Sequence, residues 1–120
     1  MGGVIAAVDD LFFWAKILET AERLNVPLAL VRSPGELLEK ARAFRPALVI
    51  VDLNAEGCRP LEALRQVKAD PELKDTPVLG FYSHVQHELK ASAAEAGCDR
   101  ILARSVFPAQ LPDILRPYAT

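Results

Sequence analysis

Three aspartates carry the plainest chemistry in this sequence. Asp9 and Asp10 end the first apolar run, GVIAAVDD, and Asp52 ends the third, PALVIVDL. If those two runs are neighbouring parallel strands, all three carboxylates leave one carboxyl edge of a sheet, where open α/β folds place their ligand sites. Crowded carboxylates raise one another's pKa unless a cation offsets them, and hard oxygen donors with room for water suit Mg2+. Acids also follow strands as helix caps, which would account for Asp10 alone but not for three acids at matching strand ends.

Bringing those ends together requires a particular set of elements. Strand-like runs occur at 3–8, 26–32, 47–52, 77–82 and 99–103. They are short and continuously apolar, as in strands covered on both faces. Helical spacing links Leu11, Trp14, Leu18, Ala21 and Leu24, then Leu37, Leu38, Ala41 and Phe44, then Leu61, Leu64 and Val67, then Leu89, Ala93 and Ala96. Turn chemistry marks helix ends at Ser33-Pro34-Gly35, Arg45-Pro46, Asp70-Pro71 and Gly97. The final segment, PAQLPDILRPYAT, is helical only if Pro108 and Pro112 both fall in its first turn, with Pro117 ending it. Alternating βα units with right-handed crossovers predict one α/β domain over residues 1–120. Its parallel five-stranded sheet would take the flavodoxin-like order 2-1-3-4-5, with helices on both faces. Strands 1 and 3 are then adjacent, and Asp9, Asp10 and Asp52 meet at the switch point.

Bulk composition narrows the partners. With 120 residues and 51% hydrophobic content, the chain can bury a core without disulfides or structural metals. A net charge of −2 provides no excess of basic groups for nucleic acid. Cys58 and Cys98 lack companions at zinc-ligand spacing and read as reduced thiols of a cytoplasmic protein. No apolar run approaches the roughly 20 residues that span a bilayer, and no secretory leader is visible.

The motifs VDD at 8–10, RPALVIVDL at 45–53, ADPELKDTPVLGFYSH at 69–84 and AEAGCDRIL at 94–102, on the five-fold βα rhythm, resemble the receiver domain of bacterial response regulators. The likeness is to the single-domain chemotaxis regulators and covers nearly the whole chain. It implies that Asp52 accepts a phosphoryl group, and that Asp9, Asp10, Asp52 and the backbone carbonyl of Asn54 hold Mg2+. A carboxylate attacking a phosphoryl donor needs such a cation to offset the charge of both partners. The resemblance further implies a histidine kinase or phosphotransfer protein upstream, a downstream protein, and a monomer or weak homodimer whose output face spans residues 86–118.

Other positions depart from the family pattern. Tyr82 stands where a Thr or Ser is usual, with Ser83 as the small residue after it, and its long side chain is expected to overshoot a phosphoryl oxygen. Arg104-Ser105 replaces Lys-Pro; a planar guanidinium does not substitute for an ammonium point charge and is expected to pin Asp52. Ile101 takes the place of the switch aromatic, and NAEGCRP at 54–60 lacks the usual turn, with Pro60 in place of a glycine. Phe12 and Phe13 precede Trp14, and one helix face cannot bury all three; the resemblance, which places kinase or phosphotransfer docking on the first helix, implies Phe12 or Phe13 as a partner contact. His84 and His87 lack a third metal ligand and read as a polar face, while Arg65, Lys68 and Lys74 read as a solvated edge.

These readings define an atypical receiver-like signalling domain that acts by protein contact and is not an enzyme beyond self-phosphorylation from a donor. The alternative is a pseudo-receiver, an unphosphorylated interaction module whose pocket Arg104 fills. A small flavodoxin-like enzyme or ligand carrier is disfavoured, because the sequence has no nucleophile–base pair and no cofactor loop.

Overall fold

A computed structural model of the protein describes residues 3–82 and 87–120. The five apolar runs form β1 (Val4–Ala7), β2 (Leu28–Val31), β3 (Leu48–Asp52), β4 (Val78–Tyr82) and β5 (Arg100–Ala103). Helices α1 (Leu11–Leu24), α2 (Pro34–Phe44), α3 (Pro60–Ala69), α4 (His87–Glu95) and α5 (Phe107–Leu115) alternate with them. All strand pairs are parallel, in the expected order 2-1-3-4-5.

Strand periodicity divides the core in two. Ile50 and Phe81 pack with residues of α1 and α5, whereas Val51 and Tyr82 pack with residues of α2, α3 and α4. The central strands β1, β3 and β4 are buried at every position, which is why they read as nearly unbroken apolar runs, while the edge strands β2 and β5 pack on the clusters partly exposed. Helix ends follow the expected turn chemistry. The Ser33 hydroxyl accepts the Glu36 N–H at 3.1 Å, Arg45 closes α2 in the left-handed region, and Gly97 adopts φ 106° before β5. Among the described residues, no helix is long and apolar enough to cross a membrane.

Three expectations are corrected. In α1 the buried stripe is Phe13, Ile17, Thr20 and Ala21, while Leu11 is 74% exposed and Leu18 also faces solvent. Both stripes have helical spacing. The observed one prevails because Phe13 joins Phe81 at a centroid separation of 5.0 Å, in a cluster where Phe81 stacks on Phe107 at 4.2 Å. In α5, Pro108 does lie in the first turn, but Pro112 lies inside the helix. The lost N–H is tolerated because Phe107, Leu111, Ile114 and Leu115 are buried along this helix. The helix stops at Leu115, ahead of a 3-10 turn that contains Pro117. Lys68 is not a solvated side chain either: its ammonium donates to the carbonyls of Lys74 (3.3 Å) and Thr76 (3.0 Å) and to the Asp99 carboxylate (2.8 Å), tying α3 to the start of β4 and β5.

Candidate functional site

The parallel register sets Ala7 beside both Val31 and Val51, and Asp52 beside Phe81. Asp9 and Asp10 therefore leave the sheet at the same edge as Asp52, and Arg104 reaches that edge just past the end of β5. Strand periodicity places Asp52, two residues after Ile50, on the α1 and α5 side. The same periodicity turns the next residue after Phe81, Tyr82, to the opposite side.

Asp52 is 1% exposed, and its Oδ1 accepts the Asn54 backbone N–H at 2.9 Å. Burial pushes its carboxyl pKa up. The Asn54 N–H and the Arg104 charge pull it part of the way back, while Asp9 and Asp10 add to the rise.

Asp10 is the N-cap of α1 and is engaged through both oxygens. Its Oδ1 accepts the N–H groups of Phe12 (2.8 Å) and Phe13 (3.3 Å), and its Oδ2 accepts Arg104 Nη2 at 2.7 Å. Asp9 is exposed, and the loop after β3 comes so close that a Cβ added at Gly57 would lie 3.1 Å from its Oδ2.

Arg104 is held from three sides. Its backbone N–H donates to the Tyr82 carbonyl at 2.6 Å, its guanidinium carbon lies 4.6 Å from the centre of the Phe13 ring, and its Nη2 bonds Asp10. Its Nη1 is 3.8 Å from Asp52 Oδ1. The expected pinning of Asp52 thus becomes a direct bond to Asp10 and a longer ionic contact with Asp52.

The remaining candidates fall elsewhere. The Tyr82 side chain is 7% exposed and packs in the apolar cluster under α2, α3 and α4, and among the described residues no hydrogen bond joins its hydroxyl to Asp52. Ile101 is partly buried against the same cluster. Of the aromatic pair, Phe13 is core and only Phe12, 64% exposed, is available to a partner. Ser83 and His84 lie outside the described residues.

Two neighbours were not expected at this edge. Cys58 is buried in the turn after Asp52. Burial, reinforced by Asp9 and Asp52, pushes its thiol up to about 11, so it stays protonated and unreactive near neutrality. Arg32, the residue after β2, stacks its guanidinium 4.5 Å from the centre of the Trp14 ring. Its position at a strand end level with Asp52 was the available signal.

The carboxylates and the Asn54 carbonyl are hard donors of the type Mg2+ takes. Among the described residues, though, no group of three or more Asp, Glu, His or Cys side chains comes together as a metal-ligand set. Asp10 is turned to the α1 amides and to Arg104, whose charge lies where a cation would act on Asp10 and Asp52 together.

The strand order is that of the CheY-like flavodoxin fold. No protein-family model matches the chain. The polar-differentiation response regulator DivK of Brucella anthropi is 23% identical over 87 residues, which cover 72% of this chain and 71% of that protein. The chemotaxis protein CheY-3 of Vibrio cholerae is 31% identical over 67 residues, 56% of this chain and only about half (52%) of that protein. Among solved structures, the chemotaxis response regulator CheY4 of Vibrio cholerae superposes with a TM-score of 0.83 at 22% identity, covering 98% of both chains. A response regulator from Hahella chejuensis superposes with a TM-score of 0.85 at 17% identity, over 100% of this chain and 96% of that one. The resemblance seen in the sequence therefore holds in relatives and in fold.

Proposed function

We propose that the chain is a receiver-type signalling module of a two-component pathway, in which Asp52 accepts a phosphoryl group and the change is passed on by protein contact. The observation that carries this reading is the convergence at one sheet edge of a buried carboxylate at the end of β3, the Asp9-Asp10 pair after β1 and a cation after β5. Likeness to DivK and CheY-3 supports receiver-type signalling with a histidine kinase or phosphotransfer protein upstream and a protein target downstream. In the transfer, an Asp52 carboxylate oxygen bonds to phosphorus as the P–N bond of a phosphohistidine donor breaks. The imidazole leaves with the electron pair and gains a proton, and Asp52 becomes an acyl phosphate. Arg104 offsets part of the charge gathered at the edge. Beyond this self-phosphorylation the module performs no catalysis; it works in the cytoplasm, as a monomer or weak dimer.

A second reading is an interaction module that is never phosphorylated, and the 2.7 Å bond between Arg104 and Asp10 favours it, since the pocket already holds a cation. Incubation with a small-molecule phosphodonor, with and without Mg2+, followed by intact mass spectrometry separates the two. One added phosphoryl group, absent in Asp52→Asn, is the result expected from the first reading. An unchanged mass for folded protein under every condition selects the second.

A further inference from the structure

We propose that Arg104 is a tethered cation standing in for a divalent metal at the carboxylate edge, so that a free dication gains Asp9, Asp10 and Asp52 only by displacing it. The inference rests on reading this edge as the module's charged pocket, and it holds whether or not Asp52 is phosphorylated.

The geometry of Asp10 leads to this assignment. A metal bound between the strand ends needs an oxygen from Asp10, yet Oδ1 caps α1 at 2.8 and 3.3 Å and Oδ2 bonds Arg104 at 2.7 Å. The second nitrogen of the same guanidinium lies 3.8 Å from Asp52 Oδ1, so one planar group serves two of the three expected carboxylate ligands. A fixed plane with two outward N–H groups suits that bridging role better than an ammonium would.

Arg104 is also pre-organised. Its backbone is bonded to Tyr82, and the ring beneath it belongs to Phe13, which packs against Phe81 (5.0 Å) and Phe107 (6.0 Å) in the core. Little side-chain freedom remains to be lost when the guanidinium takes its place, so the built-in cation has an advantage that a diffusing one lacks. Arg104 and a dication compete for the same oxygens, and their coupling is reciprocal: whatever Arg104 gains from Asp10 and Asp52, an incoming dication must overcome.

The test titrates the full chain with MnCl2 and MgCl2 by calorimetry, with thermal melts alongside. The variants are Arg104→Met, which keeps an aliphatic stem over Phe13, and Arg104→Met combined with Asp52→Asn. Arg104→Met is expected to bind Mn2+ at least about tenfold more tightly than the unaltered chain, because a unit charge 2.7 Å from Asp10 and 3.8 Å from Asp52 is removed. Added metal should raise its melting temperature more than that of the unaltered chain, and Asp52→Asn should erase both gains. Equal affinities with and without Arg104, or a gain that survives Asp52→Asn, overturns the assignment. So does an absence of binding in every variant. If Arg104→Met is unfolded without metal, recovery of the fold by Mn2+ supports the proposal and failure to recover refutes it. The phosphodonor experiment reads Asp52 separately, so either idea can fail alone.

Discussion

Deleting the Arg104 charge is the most informative single perturbation of this edge, because it touches three contacts whose sizes can be separated. The bond to Asp10 joins side chains about 28% and 36% exposed, so solvent screening limits it to about 1 kcal/mol. The guanidinium over Phe13 contributes about 0.5–1 kcal/mol at a partly exposed position. The contact with Asp52 differs in kind: that carboxylate is buried and flanked by Asp9 and Asp10, so losing the cation leaves its charge offset only by hydrogen bonding. An uncompensated buried charge adds about 1–2 kcal/mol after allowance for the 3.8 Å separation. Arg104→Met is therefore expected to lose about 2–4 kcal/mol at pH 7.5, read from urea unfolding followed by Trp14 fluorescence. In an Asp52→Asn background the buried charge is gone, and the same substitution should lose only about 1–2 kcal/mol. Losses agreeing within about 0.5 kcal/mol in the two backgrounds would refute the claim that Arg104 compensates Asp52.

Other expectations follow from the same contacts. The pKa of Asp70 is held below its ordinary value of 3.8, first by the Arg42 side chain and then by the Glu72 N–H, so its contribution to stability is complete above that pH and is lost as pH falls through the lower folded value. Acid titration of Asp70→Asn should accordingly show a shallower loss of stability below pH 3.8 than the unaltered chain. Asp52 has the opposite sign: its folded pKa lies above 3.8, so stability falls as pH rises from 3.8 through that raised value, and Asp52→Asn should remove this fall in melts at constant ionic strength. Gly80→Ala places a Cβ 2.9 Å from Leu53 Cδ1 and 3.0 Å from Cys98 Sγ in the middle of the sheet, and is expected to lose about 1–3 kcal/mol in chemical denaturation. Phe13→Ala should lose about 3–5 kcal/mol, whereas Phe12→Ala should stay within about 0.5 kcal/mol of the unaltered chain; equal losses would contradict the packing of α1.

The centre of the sheet could be read from the sequence because a strand covered on both faces must be apolar along its length, a condition met by VIAA and LVIV without reference to partners, whereas the edge strand RILA opens on an exposed Arg100. Asp9, Asp10 and Asp52 were legible for the related reason that a charge ending such a run has nowhere to go but the sheet edge. What remained hidden is a choice between partners of equal local merit. Two stripes of α1 satisfy helical spacing, and the selection of Phe13 over Leu11 and Trp14 depends on Phe81 and Phe107, which lie far along the chain. Once Phe13 turns inward, its ring supplies the surface over which Arg104 extends, and the capping geometry that begins α1 presents Asp10 Oδ2 to the guanidinium. The partner of Arg104 is thus fixed by the rotation of α1 about its own axis, a quantity no local pattern encodes. For that reason the aspartates identify the edge, but the cation that serves it is decided by the packing of an aromatic side chain 91 residues away in the chain, counted from Phe13 to Arg104.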